Sequence, residues 1–119
     1  MKLLRFAFLA LPIVFASVVG LLSAKANETL DGKKIFMDQK CNMCHTVSSA
    51  GIQAINKSTT NKAPDLTGRL EGRDAAQIAK ILRKEAKTAD GKIHPKAFTG
   101  SDEELGALIA WLEQQKKTQ

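Results

Sequence analysis

The chain has 119 residues, which allows one domain at most. It carries 18 lysine and arginine residues against 12 acidic residues, a formal net charge of +6 at pH 7. The sequence contains no basic run with interleaved aromatic residues, and this argues against a nucleic-acid partner.

Residues 1–26 have the pattern of a secretory signal peptide. Two cations precede a charge-free apolar run over residues 6–22, and Ala24 and Ala26 form the small-x-small pattern that a signal peptidase recognises. We expect cleavage after Ala26, export to the periplasm and a mature domain of residues 27–119. The alternative is an uncleaved anchor facing the periplasm, because the apolar run is at the short edge of what spans a bilayer.

The mature domain is poor in large apolar side chains. Its aromatic residues are Phe36, Phe98 and Trp111, and the chain has no tyrosine. A chain this short buries little apolar surface. We therefore expect a metal, a disulfide or a cofactor to fill its centre.

The first predicted helix covers about residues 30–40, with Asn27 or Thr29 as its N-cap. Gly32 near its start costs helix stability, so it requires a structural reason. Residues 46–63 then show neither helical nor strand periodicity. A loop of that length is unusual unless it wraps around something.

The second predicted helix covers about residues 74–86, with Asp74 as its N-cap and apolar residues at i, i+3 and i+4 from Ile78. Residues 87–100 are predicted to be irregular, because glycine and proline interrupt any helical or strand period there.

The last predicted helix has the clearest pattern. Ser101 and Glu104 have the spacing of a capping box, and apolar residues repeat at helical intervals from Leu105 onward. Lys116 and Lys117 are expected in its last turn, where cations favour the helix dipole. No segment alternates convincingly as a strand does, so the predicted fold class is all-α with long loops.

Cys41, Cys44 and His45 form a Cys-x-x-Cys-His sequence, which is the pattern of haem attachment. Two thiols at this spacing can each add to a vinyl group of one porphyrin, and the adjoining histidine supplies a nitrogen ligand to the iron. We expect one covalent haem c, with thioether bonds to both cysteines and with His45 as proximal iron ligand.

Three other interpretations of the cysteines are a redox dithiol, a structural disulfide and half of a zinc site. A thioredoxin-like dithiol requires a βαβ context, which the sequence does not show. A structural zinc site requires four ligands, and only His94 remains outside the cluster.

Around this motif the chain resembles the small class I cytochromes c, over nearly all of residues 31–115. Gly32 and Phe36 resemble the glycine and the aromatic residue of that family's first helix, and Trp111 resembles the aromatic residue of its last helix. The resemblance implies a cytochrome c fold of three main helices and long loops packed around one haem. It also implies that the first and last helices cross at close to a right angle, with Gly32 at their contact.

The segment Ala63-Pro64-Asp65-Leu66 resembles the family's segment whose proline carbonyl accepts the N–H of the proximal imidazole. The resemblance therefore implies that Pro64 orients His45 from outside the iron's own ligand set.

The chain departs from the family at the sixth iron ligand, which is usually a methionine on the loop before the last helix. The methionines of this chain are Met1, Met37 and Met43. None follows Cys44, and His94 is the natural substitute because it is the one other histidine and lies in the corresponding loop. Lys92, Lys96 and an open or water-filled position are the alternatives.

The resemblance implies a monohaem electron carrier, not an enzyme by itself, that serves redox-partner proteins. We expect a monomer that contacts a membrane only if residues 6–22 remain uncleaved. A haem-based small-ligand binder or sensor is the alternative, and it requires a weak or open sixth position. An electron-entry subunit of a larger oxidoreductase is a third possibility.

Overall fold

The structure is a computed structural model that describes residues 29–58 and 63–117. The predicted signal peptide, residues 1–26, lies outside the described residues. Three α-helices occur in the described ranges: α1 (Gly32–Asp38), α2 (Ala75–Leu82) and α3 (Asp102–Glu113). The extended pairings there are isolated bridges only, so the predicted all-α class with three helices and long loops is confirmed.

The start of α1 differs from the prediction. Its N-cap is Asp31 rather than Thr29, and Asn27 lies outside the described residues. The Asp31 carboxylate accepts hydrogen bonds from two backbone N–H groups of the first turn, at 2.9 and 3.2 Å. An aspartate directly before the first turn satisfies these free donors better than a residue further upstream could. The helix also ends earlier than predicted, and Lys40 follows it in the left-handed region with φ of 57°.

Asp74 caps α2 as predicted, since its carboxylate accepts the N–H of Ala76 at 2.9 Å. The helix ends at Leu82, before the predicted residue 86. Lys84 adopts a left-handed φ of 64°, which cannot continue a right-handed helix.

The capping box of α3 is confirmed. The Ser101 hydroxyl accepts the N–H of Glu104 at 3.1 Å, and the Glu104 carboxylate accepts the N–H of Ser101 at 2.8 Å. The helix ends at Glu113, so Lys116 and Lys117 lie beyond its last turn, contrary to the prediction. After Glu113 the backbone forms i to i+3 hydrogen bonds, from Gln114 to Trp111 and from Gln115 to Leu112. The carbonyl of Gln115 accepts the N–H of Gly68 at 2.5 Å.

The core lies where α1 packs against α3. Its buried apolar residues are Ile35, Phe36, Val47, Ile52, Leu70, Phe98, Leu105, Leu108, Ile109 and Leu112. The Phe36 ring is 1% exposed, and its centroid lies 5.5 Å from that of Trp111. Gly32 is buried against the same face of α3, so its predicted contact near Trp111 is confirmed.

The polar segment after the cysteines is more ordered than its sequence suggests. Val47 and Ile52 are buried and exchange two backbone hydrogen bonds, at 2.9 and 3.1 Å. Two buried apolar residues therefore anchor a loop whose other side chains are mostly polar. Within the described residues, no helix has the length and apolar character that a membrane span requires.

Candidate haem-binding site

Cys41 begins a short 3₁₀ turn (Cys41–Met43), three residues after the end of α1, and Cys44 is the C-cap of that turn. The carbonyl of Cys41 accepts the N–H of Cys44 at 3.2 Å and the N–H of His45 at 2.9 Å. These bonds gather two thiols and an imidazole on residues 41–45, which we call the attachment segment. Cys44 is exposed, whereas Cys41 is half-buried, and burial raises the pKa of the Cys41 thiol against the opposing charge of Lys96.

The loop after the attachment segment folds back over it. The N–H of Ile55 donates to the carbonyl of Asn42 at 2.9 Å, and the N–H of Asn56 donates to the carbonyl of Met43 at 2.8 Å. The loop predicted over residues 46–63 therefore folds, in its described part, over the attachment segment. As far as residue 58, this loop supports the backbone of the residues between the two cysteines.

His45 is positioned by a backbone carbonyl on a separate loop. Its Nδ1 lies 3.0 Å from the carbonyl oxygen of Pro64. A carbonyl only accepts, so Nδ1 carries the proton and Nε2 is the nitrogen left to bind a metal. Burial lowers the pKa of His45 despite the opposing effect of the Pro64 carbonyl, and nearby His94 lowers it further. The neutral imidazole, which is the metal-binding form, is thereby favoured.

The segment that presents Pro64 is itself held in place. The N–H of Leu66 donates to the carbonyl of Thr46 at 2.9 Å. The Asp65 carboxylate accepts the N–H groups of Ser48 and Thr67, at 3.3 and 2.9 Å. These contacts connect the Pro64 segment to the chain immediately after His45.

His94 lies opposite His45 in the structure. The two ring centroids are 6.0 Å apart and the ring planes differ by 4°. Nδ1 of His94 lies 2.6 Å from the carbonyl oxygen of Lys96, so this ring also donates through Nδ1 and keeps Nε2 free. Forty-nine positions of sequence separate two imidazoles that the fold brings together.

The two lysines named as alternatives to His94 have other partners. Lys92 Nζ lies 3.4 Å from the Asp90 carboxylate, and its side chain is 81% exposed. Lys96 Nζ donates to the backbone carbonyl of Gln39. In this arrangement neither amine is held beside the His45 ring, whereas the His94 ring is.

The donor set fits a haem better than a bare metal ion. Among residues 29–58 and 63–117, no three His, Cys, Asp or Glu side chains are grouped so that they could hold a metal ion by themselves. His45 and His94 would offer an iron two imidazole nitrogens, and imidazole is a ligand that haem iron accepts from proteins. The thiols of Cys41 and Cys44, close to His45 in the chain, match covalent attachment of haem.

Sequence reasoning overlooked several supporting residues. Gln39, Asn42 and Asp65 hold the two histidine-bearing segments through hydrogen bonds. Their partners are distant in sequence and are mostly backbone atoms, which carry no residue-specific pattern. Asp65 alone had a local signal, because it lies within the segment resembling the family's proline loop.

A protein-family model described as Cytochrome c matches residues 30–116. Comparisons with curated proteins and with solved structures gave no significant match. The matched range contains the attachment segment, Pro64, His94 and all three helices. The match covers well over half of the chain and agrees with its all-α architecture. The chain therefore belongs to the cytochrome c family, has the cytochrome c fold and binds haem c covalently.

Proposed function

We propose that this protein is an exported monohaem electron carrier whose iron is ligated by two histidines. Cys41 and Cys44 would form the thioether bonds, His45 would be the proximal ligand and His94 the distal ligand. The family match supports the coarser statement, that the protein is a haem-binding electron carrier serving redox-partner proteins. The observation that carries the finer proposal is the close, parallel placement of the two imidazoles.

The separation of the rings supports a shared metal ion. An imidazole nitrogen lies about 2 Å from a metal ion that it binds and about 1.1 Å from its own ring centroid, so two rings that bound one ion from opposite sides would have centroids about 6 Å apart. The centroids of His45 and His94 are 6.0 Å apart.

Haem supplies a one-electron ferric and ferrous couple, and the protein residues set its surroundings. The Pro64 and Lys96 carbonyls each hold an Nδ1 proton, which keeps both imidazoles in one tautomer and orientation. Ligands held in this way change little when the iron changes oxidation state, and little rearrangement favours fast electron transfer. Because thioether ligation raises the potential, replacing it with imidazole should lower the potential below that of methionine-ligated relatives.

The sensor alternative requires a weak or vacant sixth position. The structure holds His94 opposite His45 through the Lys96 carbonyl, an arrangement that favours a filled position. We therefore do not favour the sensor interpretation.

The cellular location follows from the sequence and is part of the proposal. The charge-free run over residues 6–22 and the Ala24-Lys25-Ala26 site support export to the periplasm with cleavage after Ala26. Mass spectrometry of the purified protein should then find Asn27 as its first residue. An intact Met1 on membrane-bound protein would instead establish the anchored alternative.

Absorbance spectra of the purified holoprotein test the ligation directly. The wild type should be low-spin in both oxidation states and should bind carbon monoxide slowly. His94→Ala should become high-spin and bind carbon monoxide rapidly, while Lys87→Ala, an exposed residue of the same loop, should behave as wild type. A high-spin wild type, or a His94→Ala spectrum identical to it, would show that His94 is not the ligand.

A further inference from the structure

We infer that Gln39 and Lys96 are positioning residues that hold the distal ligand loop against the haem-attachment side of the protein. The inference rests on the proposed ligation by His94. Gln39 is the C-cap of α1 and lies two residues before Cys41, so its position is tied to that of the attachment segment. The loop in question is the α2–α3 loop, residues 83–101, which carries His94.

Gln39 makes three contacts to this loop through two different groups. Its backbone carbonyl accepts a hydrogen bond from Lys96 Nζ. Its side-chain oxygen accepts from the N–H of Thr99 at 3.4 Å and from the Thr99 hydroxyl at 3.3 Å. These bonds connect the end of α1 to Lys96 and Thr99, which are 57 and 60 positions further along the chain than Gln39.

Lys96 extends this connection to the imidazole itself. While its Nζ reaches Gln39, its own carbonyl accepts the Nδ1 proton of His94 at 2.6 Å. A continuous path therefore runs from the attachment segment through Gln39 and Lys96 to the His94 ring. It joins the proximal and distal sides through protein atoms, independently of any bond to iron.

Among the described residues, the α2–α3 loop is also hydrogen-bonded within itself and, at its ends, to α2 and α3. The N–H of Phe98 donates to the carbonyl of Leu82 at 2.8 Å, and the buried Phe98 ring anchors that end. The pairing of Lys87 with Ile93 lies within the loop itself. If His94 binds the iron, its ring could be released by side-chain rotation that breaks the bond to the Lys96 carbonyl or by movement of its stretch of loop, and the Gln39–Lys96 connection opposes the second route.

The rate at which an external ligand replaces His94 measures this movement. Carbon monoxide binding to the ferrous protein, followed after flow mixing, should be limited by release of the distal imidazole. Lys96→Met removes the amine but keeps the side-chain stem and the carbonyl that orients His94. Gln39→Ala removes the side-chain acceptor but keeps the carbonyl that receives Lys96. Each change should accelerate carbon monoxide binding by about 3- to 10-fold, because a hydrogen bond of this kind contributes modestly.

The two substitutions remove different bonds, so the double variant should bind carbon monoxide faster than either single variant. Gln39→Glu retains an oxygen acceptor on a stem of the same length and should restore a rate close to that of wild type. Lys87→Met removes a cation from the same loop without touching Gln39, and its rate should not change. A substitution that merely weakened the fold would lower the melting temperature without this selectivity in the binding rate.

The outcomes separate this inference from the proposed ligation. If His94→Ala leaves the wild-type spectrum unchanged, the ligation itself is wrong. If His94→Ala opens the site while Lys96→Met, Gln39→Ala and their double variant all bind carbon monoxide at the wild-type rate, the ligation stands and the positioning role is overturned. The positioning role would be established if Lys96→Met and Gln39→Ala both bind carbon monoxide faster than wild type while Gln39→Glu binds it at close to the wild-type rate.

Discussion

The backbone of Gly32 lies against the side chain of Trp111, where α1 meets α3. A Cβ atom at Gly32 would lie 2.5 Å from the carbonyl oxygen of Ala107 and 3.1 Å from Trp111 Cγ, besides colliding with Trp111 Cβ. These neighbours are a helix backbone and the root of a large side chain, so they cannot yield easily. Glycine here permits an approach that any other residue would prevent.

Gly32→Ala should therefore destabilise the holoprotein, by about 1–3 kcal/mol as is typical of overpacking. Gly106→Ala is the matched control, because Gly106 lies within α3 and a Cβ there meets nothing within 4 Å. The control should stabilise the protein by about 0.5–1 kcal/mol, since alanine favours a helix interior. Denaturant unfolding checks both, and equal midpoints for Gly32→Ala and wild type would refute the close contact.

Covalent attachment predicts a specific response to loss of the two thiols. Cys41→Ala with Cys44→Ala should leave no haem on the protein after denaturation, because only thioether bonds survive unfolding. The wild type should retain its haem, and each single variant should retain it through one bond. Haem staining of denaturing gels and the mass of the intact protein measure this, in a host with haem-attachment machinery. Wild-type protein without bound haem under those conditions would contradict the assignment.

Asp65 should make the stability of the protein pH-dependent in the acid range. Slight desolvation acts to raise the pKa of the exposed Asp65 carboxyl, but hydrogen bonds from Ser48 and Thr67 outweigh it, and the net pKa is lowered. A carboxyl with a lowered folded-state pKa stabilises the fold above its unfolded pKa of about 4, and that stabilisation disappears as pH falls through the folded pKa. Asp65→Asn should thus lower stability at pH 7, by an amount that shrinks below about pH 4.

Urea unfolding of wild type and Asp65→Asn at several pH values tests this dependence. Asp74→Asn is a suitable control, because asparagine serves about as well as aspartate at the N-cap position that Asp74 occupies. If the free energy of unfolding of Asp65→Asn stays below that of wild type by a constant amount down to pH 2, ionisation of the Asp65 carboxylate is not the cause of the difference.

The capping box of α3 should contribute measurably to stability. Ser101→Ala removes the hydroxyl that accepts the Glu104 N–H, and loss of such a cap costs about 1 kcal/mol. Ser101→Asp replaces one good N-cap with another and should preserve most of the stability. Thermal unfolding followed by circular dichroism distinguishes the two, and equal loss in both variants would argue against the cap as the source.

Features that depend on neighbouring residues were predictable from the sequence. The thiols and His45 lie on one turn because they are adjacent in the chain, and the caps at Asp74 and Ser101 form because their partners are two and three residues away. The cap of α1 was predicted wrongly for a related reason. Several polar residues precede that helix, and the sequence cannot rank them without knowing where the first turn begins.

Tertiary structure decided the features that join distant segments. His94 could be nominated from the sequence because no methionine follows Cys44 and because it is the one other histidine, in the loop before the last helix. Packing of the α2–α3 loop places its ring 6.0 Å from that of His45. The carbonyls of Pro64 and Lys96 accept the Nδ1 protons of the two imidazoles, and a carbonyl can do this whatever side chain its residue carries. A backbone carbonyl is present at every position, so only the folded chain determines which ones face a histidine. The sequence by itself thus determined the chemistry of attachment, whereas the fold decided how the two sides of the haem site are held together.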